Sequence, residues 1–163
     1  MRVVEAEFAF VMASDLDGDV PLDRATVLAA VGALHLAIEV PDSRFKAFEL
    51  AGAPQLLADD AFADRFVLGP EVPGWDELDL AAWPTALHVN GVTAAIGRGG
   101  SALGDPRDAL WWLAVELRRF GAALRTGDVV TTGTTTVPPS IGPGDDVLAD
   151  FGELGTVRVS VAE

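Results

Sequence analysis

The sequence has 163 residues and contains no cysteine, which excludes disulfides, zinc–thiolate sites, iron–sulfur clusters and cysteine nucleophiles. It contains a single lysine, Lys46, so chemistry that needs an amine nucleophile has one candidate. No uncharged apolar run reaches the roughly 18 residues that a membrane-spanning helix requires. The residues that follow Met1 do not form the apolar core of a signal peptide. We therefore expect a cytoplasmic protein without a membrane anchor.

Positive charge is also scarce. Lysine and arginine total 11 against 25 aspartates and glutamates, which gives a formal net charge of −14. A field of this sign repels phosphate backbones and anionic membranes, so we expect neither nucleic acid nor a membrane as a partner. Most of the acids are expected to serve solubility, and only a few of them would be needed around a cation.

Length and apolar content indicate a single folded domain over residues 1–163. Apolar residues make up 50% of the chain and the mean hydropathy is +0.31, which excludes disorder for most of it. A typical domain has roughly 100–200 residues. A chain of this length therefore has enough material for one hydrophobic core.

The hydrophobic pattern predicts an α+β fold in which strands dominate and two or three helices lie among them. The predicted elements are a strand over residues 3–12, a helix from Asp23 to about Leu34, strands over 36–40 and 66–69, a short helix over 54–63, a hairpin over 85–96, a helix over 106–124, a strand over 129–132 and a hairpin over 147–161.

The clearest local signal is the Asn90-Gly91 pair between two apolar stretches. Both residues tolerate positive φ, as a two-residue hairpin turn requires. The turn predicts that Val89 pairs with Val92 and that Leu87 pairs with Ala94.

The best helix signal follows Asp105, which is a good N-terminal cap with Pro106 at the first helical position. Apolar residues at helical spacing run from there to Leu124. We expect Gly127 to end this helix.

Three glutamates occupy unusual positions. Glu5 and Glu7 lie two residues apart on a predicted strand, so they share a face, with Cα atoms roughly 6.5–7 Å apart. Glu39 interrupts a second apolar strand. Together they form a plausible oxygen-only site for Mg²⁺ or Mn²⁺. The alternative is an edge strand with a solvated acidic face and an unrelated Glu39–Arg44 ion pair.

Two further features allow two interpretations each. The segment around Thr131 to Thr134 ends a strand, and its hydroxyls and N–H groups could bind a carboxylate, or it could be only a threonine-rich β segment. His35 is predicted at a junction between helix and strand, where packing is a more common role than catalysis. His88 is predicted on a hairpin face.

Several stretches together resemble the hydratase/decarboxylase branch of the fumarylacetoacetate hydrolase superfamily, the 2-keto-4-pentenoate hydratase type. They include Glu5-Ala6-Glu7, Asp42-Ser43-Arg44 and Gly104-Asp105-Pro106. The ordered set covers nearly the whole chain and consists of residues 5–11, 37–45, 57–61 with 66–70, 103–106 with 109–114, 127–134, and 143–145 with 149–155.

The resemblance implies a mixed β-roll with flanking helices, in which Glu5, Glu7 and Glu39 bind Mg²⁺ or Mn²⁺. It implies a lyase, either a hydratase or a decarboxylase, that acts on a small 2-oxo or 2-hydroxydienoic acid of aromatic catabolism. In such enzymes the metal chelates the 2-oxo acid and stabilises an enolate. Thr132 and Gly133 fall where the family holds the substrate carboxylate.

The sequence departs from the family pattern in three respects. Family members usually carry some 70–80 further residues before the strand with the two glutamates, including a lysine used in proton transfer, and that segment is expected to be missing here. The usual Ala-Asp-Asn-Ala-Ser-Ser is replaced over residues 58–63, where Phe62 and Ala63 stand in place of two serines. Lys46 matches no catalytic position, so the general acid/base stays unassigned.

These departures leave two alternatives to a self-sufficient lyase. The chain could be an accessory subunit or a metal-binding relic that pairs with a longer relative. It could also be a metal-dependent C–C bond hydrolase, although no hydrolase-type His–Glu pair stands out.

We also expect a homo-oligomer, with a dimer as the first choice. Four tryptophans, Trp75, Trp83, Trp111 and Trp112, stand among only twelve aromatic residues. Contiguous exposed apolar surface usually marks an interface, and a closed two-fold dimer is its commonest form.

Overall fold

The computed structural model describes residues 2–162 and contains eight strands and three α-helices within them. The strands are β1 Glu5–Met12, β2 Val31–Val40, β3 Arg65–Glu71, β4 Pro84–Val89, β5 Val92–Arg98, β6 Val129–Thr131, β7 Asp146–Asp150 and β8 Thr156–Ser160. The helices are α1 Arg24–Ala29, α2 Ala53–Ala58 and α3 Pro106–Arg119.

The strands form two four-stranded sheets with the orders β3-β2-β1-β6 and β5-β4-β7-β8. Every pairing between these strands is antiparallel. The predicted α+β class with a β-roll is confirmed. The strand alternation places one face of each sheet on a shared core.

The core lies between the two sheets. Residues of β1 with even numbers point inward, and Phe8 and Phe10 are fully buried. The second sheet contributes Leu87 and Val147, which are also fully buried. The ring of Phe8 meets that of Phe151, which follows β7, edge to face at a centroid distance of 5.3 Å. This aromatic contact joins the two sheets behind the glutamates of β1.

The first helix is shorter than the sequence predicts. Asp23 caps α1 as expected, accepting a hydrogen bond from the Thr26 N–H, but the helix ends at Ala29. Val31 already pairs with Met12 of β1, so the segment up to Leu34 belongs to β2. Pairing along the full length of β1 outweighs the helical pattern of these residues.

The longest helix begins where the sequence predicts and ends earlier. The Asp105 carboxylate accepts a hydrogen bond from the Arg107 N–H at 2.8 Å. Gly121, with a φ of 73°, ends α3. The predicted end at Gly127 is wrong because a glycine in a left-handed conformation occurs six residues earlier. No helix within residues 2–162 is long and apolar enough to cross a bilayer.

The predicted hairpin is present with one change of register. Val89 pairs with Val92 as expected. A bulge lies between Leu87 and His88, and Leu87 therefore pairs with Ala95 rather than Ala94. The bulge adds one residue to β5 and increases the local twist.

Strand β5 approaches the segment after β6 very closely at Gly97. A Cβ atom there would lie 2.0 Å from the Thr135 carbonyl oxygen. That same oxygen accepts a hydrogen bond from the Arg98 N–H at 3.1 Å, and the Thr135 N–H donates to the Ala6 carbonyl at 2.9 Å. Gly97 thus allows the second sheet to hold the chain that follows β6 against β1.

We predict that Gly97→Ala lowers the free energy of unfolding by roughly 1–3 kcal/mol, because the Thr135 carbonyl has to move to make room. Urea unfolding measures this change. The matched control is Gly52→Ala, whose new Cβ would lie 3.1 Å from the flexible end of Gln55 and in ordinary contact, at 3.8 Å, with Pro54. Equal unfolding midpoints for the two variants would contradict the close approach.

Candidate metal centre

Three glutamates converge on the face of the first sheet that points away from the core. Glu5 and Glu7 lie on β1, and Glu39 of β2 is the cross-strand partner of Glu5. Each offers a carboxylate oxygen, and the three oxygens lie within 4.8 Å of one another. The residues predicted as metal ligands are therefore brought together by strand register alone. Both strands lie inside the sheet, so the alternative of a solvated edge strand is wrong.

The three carboxylates differ in burial. Glu7 is 1% exposed, whereas Glu5 and Glu39 are half-buried. Burial, followed by the negative charge of Glu39, raises the pKa of Glu7 to about 8. Burial also raises the pKa values of Glu5 and Glu39. In the absence of a cation, desolvation and mutual repulsion both oppose ionisation of the cluster.

No basic side chain within residues 2–162 neutralises this cluster. None of the ion pairs formed there by arginine, lysine or histidine includes Glu5, Glu7 or Glu39. A buried carboxylate without a compensating charge is costly. Oxygen donors of this kind match the preferences of hard divalent cations, so the residues present fit such an ion.

The threonine-rich segment lies against the same cluster. The Gly133 N–H donates to Glu7 Oε2 at 3.0 Å, which opposes the rise in the Glu7 pKa. The buried Thr132 hydroxyl donates to the Phe8 carbonyl at 2.9 Å. Both predicted substrate-binding residues are thus adjacent to Glu7, and both use these donors within the protein.

The chain after Glu39 is fixed by a second acid, Asp59. This carboxylate is 1% exposed on its side chain and accepts hydrogen bonds from the Ser43 hydroxyl at 2.7 Å and from Arg44 Nη1 at 2.6 Å. The alternative pairing of Glu39 with Arg44 is therefore wrong, because Arg44 binds Asp59. The arrangement leaves Glu39 free to face Glu5 and Glu7.

The segment that departs from the family pattern has an unusual backbone. Asp60, Ala61 and Phe62 have φ values of 53°, 51° and 71°, a conformation that costs free energy in residues other than glycine. Phe62 is held by an edge-to-face contact with the Phe48 ring at 6.0 Å. Its carbonyl also accepts a hydrogen bond from the Asp42 N–H at 3.0 Å. The turn is thereby anchored next to the end of β2.

Strand register places further residues on the glutamate face that the sequence patterns did not assign to it. Phe66 pairs with Glu39 and Leu68 with Ala37. His35, opposite Ala9, alternates with Ala37 and Glu39 along β2. The sequence pattern did not show this alternation because it predicted a helix up to Leu34, which placed His35 at a junction and not inside a strand.

The protein is thus a β-rich protein built from two antiparallel sheets. The outward face of its first sheet carries three carboxylates, which are oxygen donors of the kind that divalent cations prefer. The chain belongs to the family described as fumarylacetoacetate (FAA) hydrolase C-terminal, whose family model matches residues 2–162.

The curated relatives include hydratases and decarboxylases. A 2-keto-4-pentenoate hydratase of Burkholderia vietnamiensis is 34% identical over 160 residues, which cover 98% of this chain and 60% of the relative. A 4-oxalocrotonate decarboxylase of Pseudomonas putida is 29% identical over 154 residues, which cover 94% and 58%. The chain thus spans about 60% of the length of these relatives.

Solved structures show the same fold. The 4-oxalocrotonate decarboxylase from Pseudomonas putida G7, complexed with magnesium and adipate, superposes with a TM-score of 0.89 at 28% identity over 98% of this chain and 60% of that chain. A fumarylpyruvate hydrolase from Pseudomonas aeruginosa, in complex with Mn²⁺ and pyruvate, gives a TM-score of 0.74 at 21% identity over 99% of this chain and 66% of that chain. The second likeness concerns the fold alone.

The raised pKa values predict how the stability of the metal-free protein depends on pH. A carboxyl whose pKa is higher in the folded state stabilises below its unfolded value and loses that contribution as pH rises through the folded value. For Glu7 this window runs from 4.5 to about 8. We expect the unfolding free energy without metal to fall by a few kcal/mol, on the order set by this linkage, from about pH 5 to about pH 8.5.

Thermal unfolding in a metal chelator measures this dependence. Glu7→Gln should flatten the fall, because the amide does not ionise, whereas Glu153→Gln, at an exposed position, should retain it. A wild-type stability that rises over the same window would contradict the prediction.

Proposed function

We propose that the chain is a divalent-cation-dependent lyase, a hydratase or a decarboxylase, that acts on a small 2-oxo or 2-hydroxydienoic acid. The observation that carries this proposal is the convergence of Glu5, Glu7 and Glu39 within 4.8 Å on one sheet face, without a basic partner among residues 2–162. The names of the relatives support the reaction class.

The cation we propose is Mg²⁺ or Mn²⁺, held by Glu5, Glu7 and Glu39. All three donors are carboxylate oxygens, which suits either ion. When bound, the cation would act as a Lewis acid that stabilises negative charge on the carboxylate and keto oxygens of a 2-oxo acid. The Gly133 N–H fixes one oxygen of Glu7 and so orients this carboxylate toward its two neighbours.

We further propose that the substrate carboxylate lies against the segment of Thr132 and Gly133. The Thr132 hydroxyl donates to Phe8, so its role is to hold this segment in place. The backbone N–H of Thr134 has no hydrogen-bond partner within residues 2–162, which supports its use as a donor to a bound anion. Phe66 and Leu68, which are 39% and 40% exposed, offer apolar surface next to the carboxylates.

A second candidate function is that of an accessory subunit that pairs with a longer relative. It is favoured by the departure from the family pattern at Phe62 and Ala63, which stand in place of two serines. A C–C bond hydrolase has weaker support, since the hydrolase likeness above is a likeness of fold. The cytoplasmic location stays a prediction.

The lyase proposal predicts turnover of 2-hydroxypenta-2,4-dienoate by the full chain, and the turnover should require Mg²⁺ or Mn²⁺. Glu5→Gln should abolish turnover and lower the Mg²⁺ affinity by at least about tenfold, because one of three charged ligands is lost. Calorimetric titration measures binding, and loss of the diene absorbance measures turnover.

The control is Glu153→Gln, which changes net charge equally at a site remote in sequence and exposed. Equal Mg²⁺ binding by Glu5→Gln and wild type would overturn the metal assignment. Metal binding without turnover by the wild-type chain would favour the accessory subunit over the lyase.

We also propose that the chain forms a homodimer or a higher homo-oligomer. Trp75 and Trp83 do not support this, because both pack against the core. Support comes instead from an open groove beside α3 that is lined by Leu103, Trp111 and Trp112. These side chains are 74%, 39% and 60% exposed, an unusual amount of apolar surface for a monomer.

Light scattering at about micromolar concentration tests the assembly. We expect at least twice the chain mass of 17.0 kDa, and we expect Trp112→Glu to shift the protein toward the monomer. Val92→Glu is the control, because Val92 is 70% exposed on the hairpin of the other sheet. A wild-type mass near that of one chain would contradict the prediction.

A further inference from the structure

His35 shares the outward sheet face with the three glutamates. It pairs with Ala9 in the same uninterrupted register that pairs Glu5 with Glu39. Since Glu7 lies two residues from Ala9, His35 and Glu7 are diagonal neighbours, with Cα atoms roughly 7–8 Å apart. His35 and the glutamates therefore lie on one sheet face, on neighbouring strands.

A hydrogen bond sets the protonation of this ring. His35 Nδ1 lies 2.9 Å from the Gly69 carbonyl oxygen. A carbonyl can only accept, so Nδ1 must carry the proton, and in the neutral ring Nε2 then carries the free lone pair. Nε2 has no hydrogen-bond partner within residues 2–162. The half-buried ring thus presents a proton acceptor without a donor among the described residues.

The carbonyl that orients the ring is itself held firmly. Gly69 lies in a bulge, where β3 has one more residue than β2 between the pairs Ala37–Leu68 and His35–Glu71. A Cβ atom at Gly69 would lie 2.4 Å from Val157 Cγ2 of the second sheet. This close packing fixes the backbone at the bulge and therefore fixes the direction of the hydrogen bond to His35.

The charged groups that share this face are acids. They are the three glutamates and Glu71, the cross-strand partner of His35. Among the strand residues on this face, His35 is the one side chain that can both take up and release a proton as a neutral base. If the three glutamates hold a cation, His35 is the side chain of this face that is left for acid/base chemistry.

We propose that His35 Nε2 is the general base and acid of this site, a role that rests on the lyase function proposed above. It takes a proton from the carbon next to the keto group of a 2-oxo acid. The C–H bond breaks, a bond from Nε2 to hydrogen forms, and the electron pair moves into the adjacent C–C bond, leaving the negative charge on the keto oxygen. The imidazolium then returns the proton to a carbon of the same molecule.

The first test locates His35 in the wild-type chain without using activity. The chain has only two histidines, so a ¹⁵N-histidine-labelled sample gives two imidazole systems, which His88→Asn assigns. We expect the neutral His35 ring to carry its proton on Nδ1, which faces the Gly69 carbonyl. We also expect substoichiometric Mn²⁺ to broaden the His35 signals more than those of His88, which lies on the second sheet.

A proton on Nε2 of the neutral ring, or equal broadening of the two histidines, would overturn the assignment. This outcome does not depend on whether the chain turns over a substrate.

The second test measures exchange of the carbon-bound hydrogens of 2-oxopentanoate in D₂O with Mg²⁺ present. Asparagine retains a side-chain N–H near the position of Nδ1 but has no counterpart of Nε2. We therefore expect His35→Asn to keep the wild-type Mg²⁺ affinity and unfolding midpoint and to slow exchange about 100-fold or more, the usual effect of removing a general base. His88→Asn is the matched control and should exchange at the wild-type rate.

The two proposals fail in distinguishable ways. Wild-type exchange by His35→Asn, with an active wild type, overturns the role of His35 and leaves the lyase intact. No exchange and no turnover by a wild-type chain that binds Mg²⁺ overturns both the lyase and the role of His35 in it.

Discussion

The repulsion among three carboxylates on one sheet face is the constraint on which the site depends. Strand register sets Glu5 opposite Glu39, and Glu7 is buried beside them. Like charges across a strand pair are destabilising, and burial adds to that cost. A divalent cation would turn the same arrangement into a favourable one. Without a cation, the three carboxylates therefore lower the stability of the fold.

The rest of the fold holds these carboxylates where they repel one another. Phe8, which follows Glu7 on β1 and points to the second sheet, packs edge to face on Phe151. The segment after β6 is anchored to β1 through Thr135 and to Glu7 through Gly133. Asp59 fixes the chain that follows Glu39 through Arg44. Rigid support on each side maintains the geometry of the three carboxylates.

The sequence was most informative where a period-two pattern was unbroken. The alternation along β1 predicted the burial of Phe8 and the shared face of Glu5 and Glu7, and the interrupted apolar run of the second strand singled out Glu39. It was least informative where local and long-range preferences compete. Residues 31–34 have a local helical pattern but pair with β1. A short stretch of sequence does not contain this long-range pairing, so the sequence did not predict which sheet face His35 lies on. The bulge at Gly69 depends on packing against Val157 and has no local signal.

An anomalous diffraction map of crystals grown with Mn²⁺ tests the central claim most directly. The account predicts one ion per chain, bound by oxygens of Glu5, Glu7 and Glu39 at about 2.0–2.2 Å, as expected for a small divalent cation. The account is contradicted if the ion binds elsewhere, or if the three carboxylates remain without an ion at a Mn²⁺ concentration that occupies other sites.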